Sequence, residues 1–357
     1  MGVPFPLDPE NAAPPSLLPT APFSTIQAFP SVLKLPYSYH WNLSLDQSLG
    51  PEQAVSIGFV GAAGHNLLRT EEYIGGAGGV PTGFTQVLFT NNAGFSNYNA
   101  LQIQFRRRSR KGPHLLVSYA LAHSLDNVST DSNVEGVPAR FLNLLADYGP
   151  SDFDIRHTLT AGFDYSPRIA AKSRVLKTLF SDWAIDAIMV LRSAHPVDVA
   201  VLRDLGFGGY PLRPDLVSGV PLYVRDRAAP GGRRLNADAF SAPSDNRQGT
   251  LGRNGLRGFP LFQADVEIGR HFHVTRQLGL LARVEAFNVF NHPNFAAPAS
   301  QLGSVDSSGR LIPGPGFGVS QTTLSQSLQA GSFNTGFSPL YQIGGARSVQ
   351  LALKLEF

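Results

Sequence analysis

The stretch SVQLALKLEF, residues 348–357, ends the chain, and its strict alternation decides how the rest is read. Val349, Leu351, Leu353, Leu355 and Phe357 fall on one side of an extended backbone. Ser348, Gln350, Ala352, Lys354 and Glu356 fall on the other. Successive side chains of a strand point to opposite faces, so this pattern predicts a strand that is apolar on one face and polar on the other.

The same period recurs in eight segments upstream. Tyr39, Trp41, Leu43 and Leu45 oppose His40, Asn42, Ser44 and Asp46. Val55, Ile57 and Phe59 oppose Ala54, Ser56 and Gly58, and Leu101, Ile103 and Phe105 oppose Gln102, Gln104 and Arg106. Leu115, Val117, Tyr119 and Leu121 interleave with Ser118, Ala120 and Ala122. Across 155–165, Leu159, Ala161 and Phe163 face away from Thr158, Thr160 and Asp164. Trp183, Ile185, Ala187, Met189 and Leu191 oppose Asp182 and Asp186, although Ile188 and Val190 share the polar side. Phe262, Ala264, Val266 and Ile268 stand against Gln263, Asp265 and Glu267. Leu278, Leu280, Ala282, Val284 and Ala286 have Arg283 and Glu285 on the reverse.

Alternation alone also fits a soluble sandwich, so the connections carry the distinction. They run short then long: 49–52 then 64–97, 109–113 then 123–153, 167–180 then 195–260, 273–276 then 290–345. Outer-membrane barrels have short periplasmic turns and longer extracellular loops. In a compact soluble domain, structureless loops of this length would count against the strand assignment. The expected fold is therefore all-β: an antiparallel transmembrane β-barrel with long extracellular loops, with residues 1–36 an irregular lead-in and 37–357 a partial barrel. With the short turns periplasmic, the last strand runs downward and Phe357 reaches the periplasmic rim, where an aromatic suits the interfacial girdle.

Composition agrees. Charged residues make up 15% of the 357 residues, against about 25% in an ordinary soluble domain. Mean hydropathy is near zero, and no run approaches the roughly 20 apolar residues of a membrane helix; alternating strands hide their membrane signal. There are no cysteines, which removes disulfides, thiolate metal sites and cysteine catalysis. Net charge is +3 on 29 basic and 26 acidic residues, too balanced to imply nucleic acid. The one dense basic run, Arg106, Arg107, Arg108, Arg110 and Lys111, reads as a solvated turn at a membrane surface, without the aromatics of a nucleic-acid platform. The opening MGVPFPLDPENAAPP has neither the basic n-region nor the apolar h-region of a secretory signal. Bacterial barrels close with an even strand number, and an open edge cannot sit in lipid. Nine strands without a leader are therefore expected to be part of a larger protein, the sequence being either a fragment or a truncated gene model.

Several segments, in order, resemble one family: PYSYHWNLSLDQSL (36–49), VSIGFVGAAGHNLL (55–68), SNYNALQIQFRRR (96–108) and LLVSYALAHSLDN (115–127). DFDIRHTLTAGFDY (152–165), RVEAFNVFNHPNF (283–295) and RSVQLALKLEF (347–357) continue the series. Together they resemble the C-terminal barrel region of TonB-dependent receptors of the Oar-like type. The resemblance implies about nine strands of a barrel of about 22, in the outer membrane of a Gram-negative type bacterium. It implies outer-membrane lipid and the barrel-assembly machinery as partners, the latter reading the terminal strand at Phe357. It also implies an unknown small-molecule or peptide ligand. Nothing here resembles a plug, a TonB box or the regulatory-like N-terminal domain, so TonB would act only through regions missing from this sequence.

The chemical motifs point away from catalysis. His157 in DIRHT and His292 in NHPNF have no second histidine at metal-ligand spacing and read as structural. His271 and His273 share a strand face at a short turn, a weak cation motif. Asp152 and Asp154 with Arg156 resemble a carboxylate pair, but acids opening a strand more often cap the turn or pair with an arginine of a neighbouring strand. GGAGG (75–79) lacks the strand–helix context and lysine of a phosphate loop. No GxSxG occurs. Lipid-facing charge costs about 2–4 kcal/mol at the midplane, so Asp46, Arg106, Asp164, Asp186, Asp265, Glu267, Arg283, Glu285, Lys354 and Glu356 should face the lumen. The expectation is no catalytic, cofactor-binding or metal residue. The protein would be a non-enzymatic receptor wall whose outer loops, chiefly 195–260 and 290–345, capture ligand; the alternative is a structural or adhesive surface protein of the same architecture.

Overall fold

The structure, a computed structural model, describes residues 23–74, 84–110, 112–129, 147–167, 181–204, 209–244, 247–275, 277–306, 308–327 and 343–357. In chain order the first strands are β1 (Phe23–Ala28), β2 (Tyr37–Ser48), β3 (Gln53–Ile74), β4 (Phe84–Arg107), β5 (His114–Asp126), β6 (Gly149–Pro150), β7 (His157–Tyr165) and β8 (Trp183–Arg192). Short strands follow: β9 (Pro196–Val197), β10 (Ala200–Asp204), β11 (Gly209–Leu212), β12 (Asp215–Leu216), β13 (Tyr223–Arg225), β14 (Arg233–Leu235), β15 (Phe240–Ser241) and β16 (Leu256–Arg257). The last are β17 (Leu261–His273), β18 (Gly279–Phe287), β19 (Gln301–Val305), β20 (Leu311–Pro313) and β21 (Ser348–Glu356).

One sheet dominates, in the order β2-β3-β4-β5-β7-β8-β17-β18-β21. Every neighbouring pair along that path is antiparallel. These nine strands are the nine alternating segments of the sequence. Register places like faces together: Leu353 lies opposite Ala282 and Leu351 opposite Val284, while Gln350 meets Glu285. The apolar face is bare, with Leu43, Leu351 and Leu353 exposed by 76%, 76% and 75%. No helix among the described residues is long and apolar enough to cross a membrane. Among the described residues β2 and β21 each have one strand neighbour, so the sheet is open at both edges.

Aromatics flank the apolar face at both ends. At the long-connection end, Tyr37 meets Tyr39 edge-on at 5.4 Å and stacks on His65 at 5.3 Å. Gly61, opposite Trp41, leaves room for the indole; a Cβ there would overlap the ring. At the short-turn end, the Arg270 guanidinium lies 5.3 Å from the Trp183 ring and 4.6 Å from Phe272.

Three features depart from the sequence reading. The long connection 64–97 is mostly strand, because β3 and β4 run for 22 and 24 residues, about twice the 9–11 of a membrane span. A register shift between Gly64 and Leu67, with Asn66 at φ 54°, marks where the hairpin changes course. There the Asn92 amide donates to the Asn66 and Lys34 carbonyls at 2.7 and 2.8 Å. The lead-in is not wholly irregular: β1 lies within 1–36 and pairs in parallel with the projecting part of β4. Residues 1–22, the glycine run 75–79 and most of the turn 167–180 lie outside the described residues.

The third departure is the largest. Segments 195–260 and 290–345, read as loops, build a folded cap where they are described. Its sheet runs β11-β10-β19-β20, with β10 and β19 parallel, and two-stranded pairs β12–β15, β13–β14 and β9–β16 surround it. Val197, Val199, Val201, Leu212, Leu256 and Leu302 form its interior. The hydrophobic core of the described chain sits here rather than behind the large sheet, as expected of a sheet whose apolar face meets lipid.

The arrangement predicts a face-specific response to charge. Leu353→Arg, mid-strand on the bare apolar face, should lower unfolding free energy by about 2–4 kcal/mol. Gln350→Arg, opposite Glu285, should be tolerated. Urea titration followed by heat-modifiable gel mobility of the protein in detergent or lipid reads the difference; equal tolerance of both changes would show that the apolar face does not meet lipid.

Candidate functional site

Three arginine–aspartate junctions fasten the cap to the long-connection end of the sheet. Arg253 is the centre of the first. It donates to the Asp126 carboxylate at 2.5 Å and to the Asp126 carbonyl, Ser129 and Asp152 at 3.0, 2.6 and 3.0 Å. In the second, both Arg257 amino groups reach Asp154, one to the carbonyl and one to the carboxylate, each at 2.6 Å. In the third, Asp147 bridges Arg69 of β3 and Arg213 of the cap, the latter at 3.0 Å. Arg69, Arg213, Asp126, Asp147 and Asp154 are all buried. Between the junctions, Asn254 in left-handed conformation (φ 53°) donates to Pro150 and Asp152 at 2.8 and 2.6 Å, and its N–H to Asp198 at 3.1 Å. Charges buried in this way need both a counter-charge and filled hydrogen-bonding positions, and here they have them.

The electrostatics of the junction follow from these contacts. Burial works against ionised Asp154, but the Ser124 N–H, the Arg257 guanidinium and His123 outweigh it and hold the carboxyl below its ordinary range. For Asp198 burial prevails over the Asn254 N–H, Arg213 and Arg253, and its carboxyl is pushed up. Burial also opposes the Arg253 charge, yet Asp126, Asp152 and Asp198 together hold it more firmly protonated than usual.

Asparagines organise the other side of the cap. Asn294 accepts from the Phe262 N–H at 2.9 Å and donates to its carbonyl at 3.0 Å, imitating a strand neighbour at the start of β17. Asn288, at φ 47°, donates to the carbonyls of His292 and Gly345 at 2.9 and 2.8 Å. Together they turn the chain out of β18 and tie it to the lead-in of β21.

The polar face of the large sheet divides in two. On β2–β5 and β7 it carries chiefly small, amide and hydroxyl side chains. Across β7, β8, β17 and β18 four carboxylates stand directly opposite one another: Asp164, Asp186, Glu267 and Glu285. Like charges so placed repel, and Arg283 moderates them from 3.5 Å to each of Glu267 and Glu285.

Each residue weighed in the sequence now has a place. Asp152 and Asp154 pair with arginines, but with Arg253 and Arg257 of the cap rather than with a neighbouring strand. His157 exchanges a 2.8 Å hydrogen bond with the Tyr119 hydroxyl. His292 lies edge-on to Phe262 at 5.4 Å. His271 and His273 have ring centres 4.5 Å apart, and His271 pairs with Glu356 at 3.1 Å. Among the described residues no group of three or more His, Asp and Glu could hold a metal ion. Arg106 and Arg107 end β4, and Glu52 receives the backbone N–H groups of Arg108 and Arg110 across the short turn, at 2.8 Å on its carbonyl and 3.1 Å on its carboxylate; Lys111 lies outside the described residues. The sequence reading missed Arg69, Arg213, Arg253, Arg257 and the two asparagines. One signal was available: LGRNGLRG (251–258) sets two arginines four apart among residues that favour turns.

A two-faced antiparallel wall, open polar on one side and bare apolar on the other, with a folded cap at one end, defines a membrane β-barrel wall. Residues 1–330 match the family model described as outer membrane beta barrel domain, and the chain belongs to that family. Its place is the outer membrane. No functionally curated protein matches the sequence. Among solved structures, it is similar to the outer membrane transporter YddB from Escherichia coli, at 12% identity and a TM-score of 0.49. That similarity covers 93% of this chain and 34% of the other, so the chain spans about a third of that protein's length.

Two outcomes follow for the cap. Arg253→Ala leaves Asp126 buried without its counter-charge and should destabilise cap docking by about 3–5 kcal/mol. Arg247→Ala, which breaks the more exposed pair with Asp215, should cost under about 1 kcal/mol. Limited proteolysis of the cap against urea concentration compares them, and equal sensitivity would remove the junction's structural role. Acid should also loosen the cap. Because the Asp154 carboxyl titrates below its unfolded value, its stabilisation is present above about pH 4 and fades as pH falls through the folded value. Asp154→Asn should flatten that acid limb in the same proteolysis assay, and an unchanged acid limb would contradict the assignment.

Proposed function

We propose that this chain forms the barrel wall and extracellular loops of a TonB-dependent receptor of the Oar-like type, with no enzymatic role of its own. The observation that carries the reading is the division of the wall: a polar and partly charged face opposite a bare apolar one, fastened by buried ion pairs to a folded cap at one end. The cap would present the ligand-capturing surface, and the polar face would line the path. Energy would come from the inner membrane through TonB, acting on a plug carried elsewhere in the complete protein. Strand direction supports a partial wall. With nine antiparallel strands, β2 and β21 run the same way, so antiparallel closure takes an odd number of further strands. The terminal strand ending at Phe357 would serve as the signal for the barrel-assembly machinery.

The folded cap also suits adhesion to a matrix or to other cells, and one comparison separates the readings. Deleting the gene in its own bacterium should impair growth when one nutrient is limiting, and loss of TonB should reproduce the same defect. Unchanged growth across limiting nutrients, combined with lost surface attachment, would overturn transport in favour of adhesion.

A further inference from the structure

Resting on the receptor reading above, we propose that the polar wall of β2–β5 and β7 binds an uncharged polyhydroxylated solute, of the carbohydrate class, on its way through the lumen. The wall holds a concavity of about 370 Å³, within the range of small-molecule sites. Two adjacent rungs of the sheet form it. In the first, Ser56, Gln104, Ser118 and Thr160 lie side by side on four successive strands. In the second, Gly58, Gln102, Ala120 and Thr158 do the same, and the two small residues make the hollow. Ser44 of β2 completes the rim.

The chemistry of this lining selects a ligand class. It contains no charged side chain. Amides and hydroxyls each offer both donors and acceptors, and neighbouring strands repeat them at about 4.8 Å. Among the described residues, the side chains of Ser44, Gln102, Thr158 and Thr160 have no hydrogen-bond partner in the protein, whereas Gln104 donates to Ser118 at 3.3 Å and Ser56 donates to the Asp46 carboxylate beside the hollow. A phosphate or carboxylate would find no cation among the lining groups. A cationic solute would be drawn instead to the acidic row on β7, β8, β17 and β18. A ligand whose surface is a dense set of neutral hydroxyls matches the free groups without leaving a buried charge uncompensated.

The test uses the complete receptor, purified in detergent, and isothermal titration with three neutral probes: maltohexaose, cellohexaose and xylohexaose. Oligogalacturonate and a chitosan oligomer serve as anionic and cationic counterparts. At least one neutral probe should bind, and the pair Gln102→Leu and Thr160→Val should weaken it tenfold or more while heat-modifiable mobility stays unchanged. Binding of no neutral probe, preference for a charged one, or undiminished binding by the variant would overturn the proposal. Energy-dependent uptake in cells is scored separately. Retained uptake without neutral-probe binding removes this site and leaves the receptor reading intact, whereas binding without TonB-dependent uptake removes the receptor reading and keeps the site.

Discussion

Hydrocarbon offers no hydrogen bonds, so every backbone N–H and C=O at membrane depth must find its partner in a neighbouring strand. That constraint explains why the nine strands pair continuously from β2 to β21, and why their apolar side chains can stand bare. The side chains that would fill the core of a soluble sheet protein are turned to the solvent lipid. What remains on the other face has to be compatible with water, and it is: acids on β7, β8, β17 and β18, and chiefly small or neutral polar groups on β2–β5, with Asp46 and Arg106 as the charged exceptions.

Beyond the membrane the physics reverses, and the chain returns to ordinary folding. The cap excludes water with Val199, Val201 and Leu212, and one glycine there is obligatory. Gly318, at φ 78°, passes so close to Leu235 that a Cβ would sit 2.7 Å from its carbonyl oxygen. A cap built from the described parts of segments 195–260 and 290–345 needs fixing to the strand ends that flank it. Apolar packing at that junction would compete with the bare apolar face of the sheet for partners during assembly. Buried arginine–aspartate pairs avoid the conflict, because a guanidinium fork and a carboxylate recognise each other by geometry as well as charge.

The difference between what was and was not legible in the sequence follows the same boundary. Period 2 reveals a strand when one face meets lipid and the other water, so Val349 to Phe357 or Leu278 to Ala286 could be read directly. In β3 the alternation breaks at the bulge near Asn66, so the projecting half of the hairpin is not legible as strand. The cap escaped because its strands are two to five residues long, although Val197, Val199 and Val201 do alternate with Asp198 and Ala200. The junction escaped for a different reason. Arg253 and Asp126 are 127 residues apart, and no local pattern announces a pair at that separation. Asp152 and Asp154 are expected to cap the turn or to pair with an arginine of a neighbouring strand; the arginines they meet, Arg253 and Arg257, come from the cap about 100 residues away, which only the third dimension shows.

The two halves of the structure constrain each other through the strand ends. Asp126 ends β5 and Asp154 stands just ahead of β7, so the cap grips neighbouring strands of the wall close to where β6 pairs with the end of β5. Arg69 adds the projecting part of β3 through Asp147. The cap is therefore joined to β3, β5 and the start of β7, the strands that carry Ser56, Ser118 and Thr160. Those same strands bound the uncharged hollow, whereas the acidic row lies mainly on β8, β17 and β18, reached through Asn288 and Asn294. The hollow thus lies on strands whose ends are joined to the cap by buried ion pairs. Strand pairing sets the spacing of its hydroxyl and amide groups, because Ser56, Gln104, Ser118 and Thr160 stand in register on neighbouring strands.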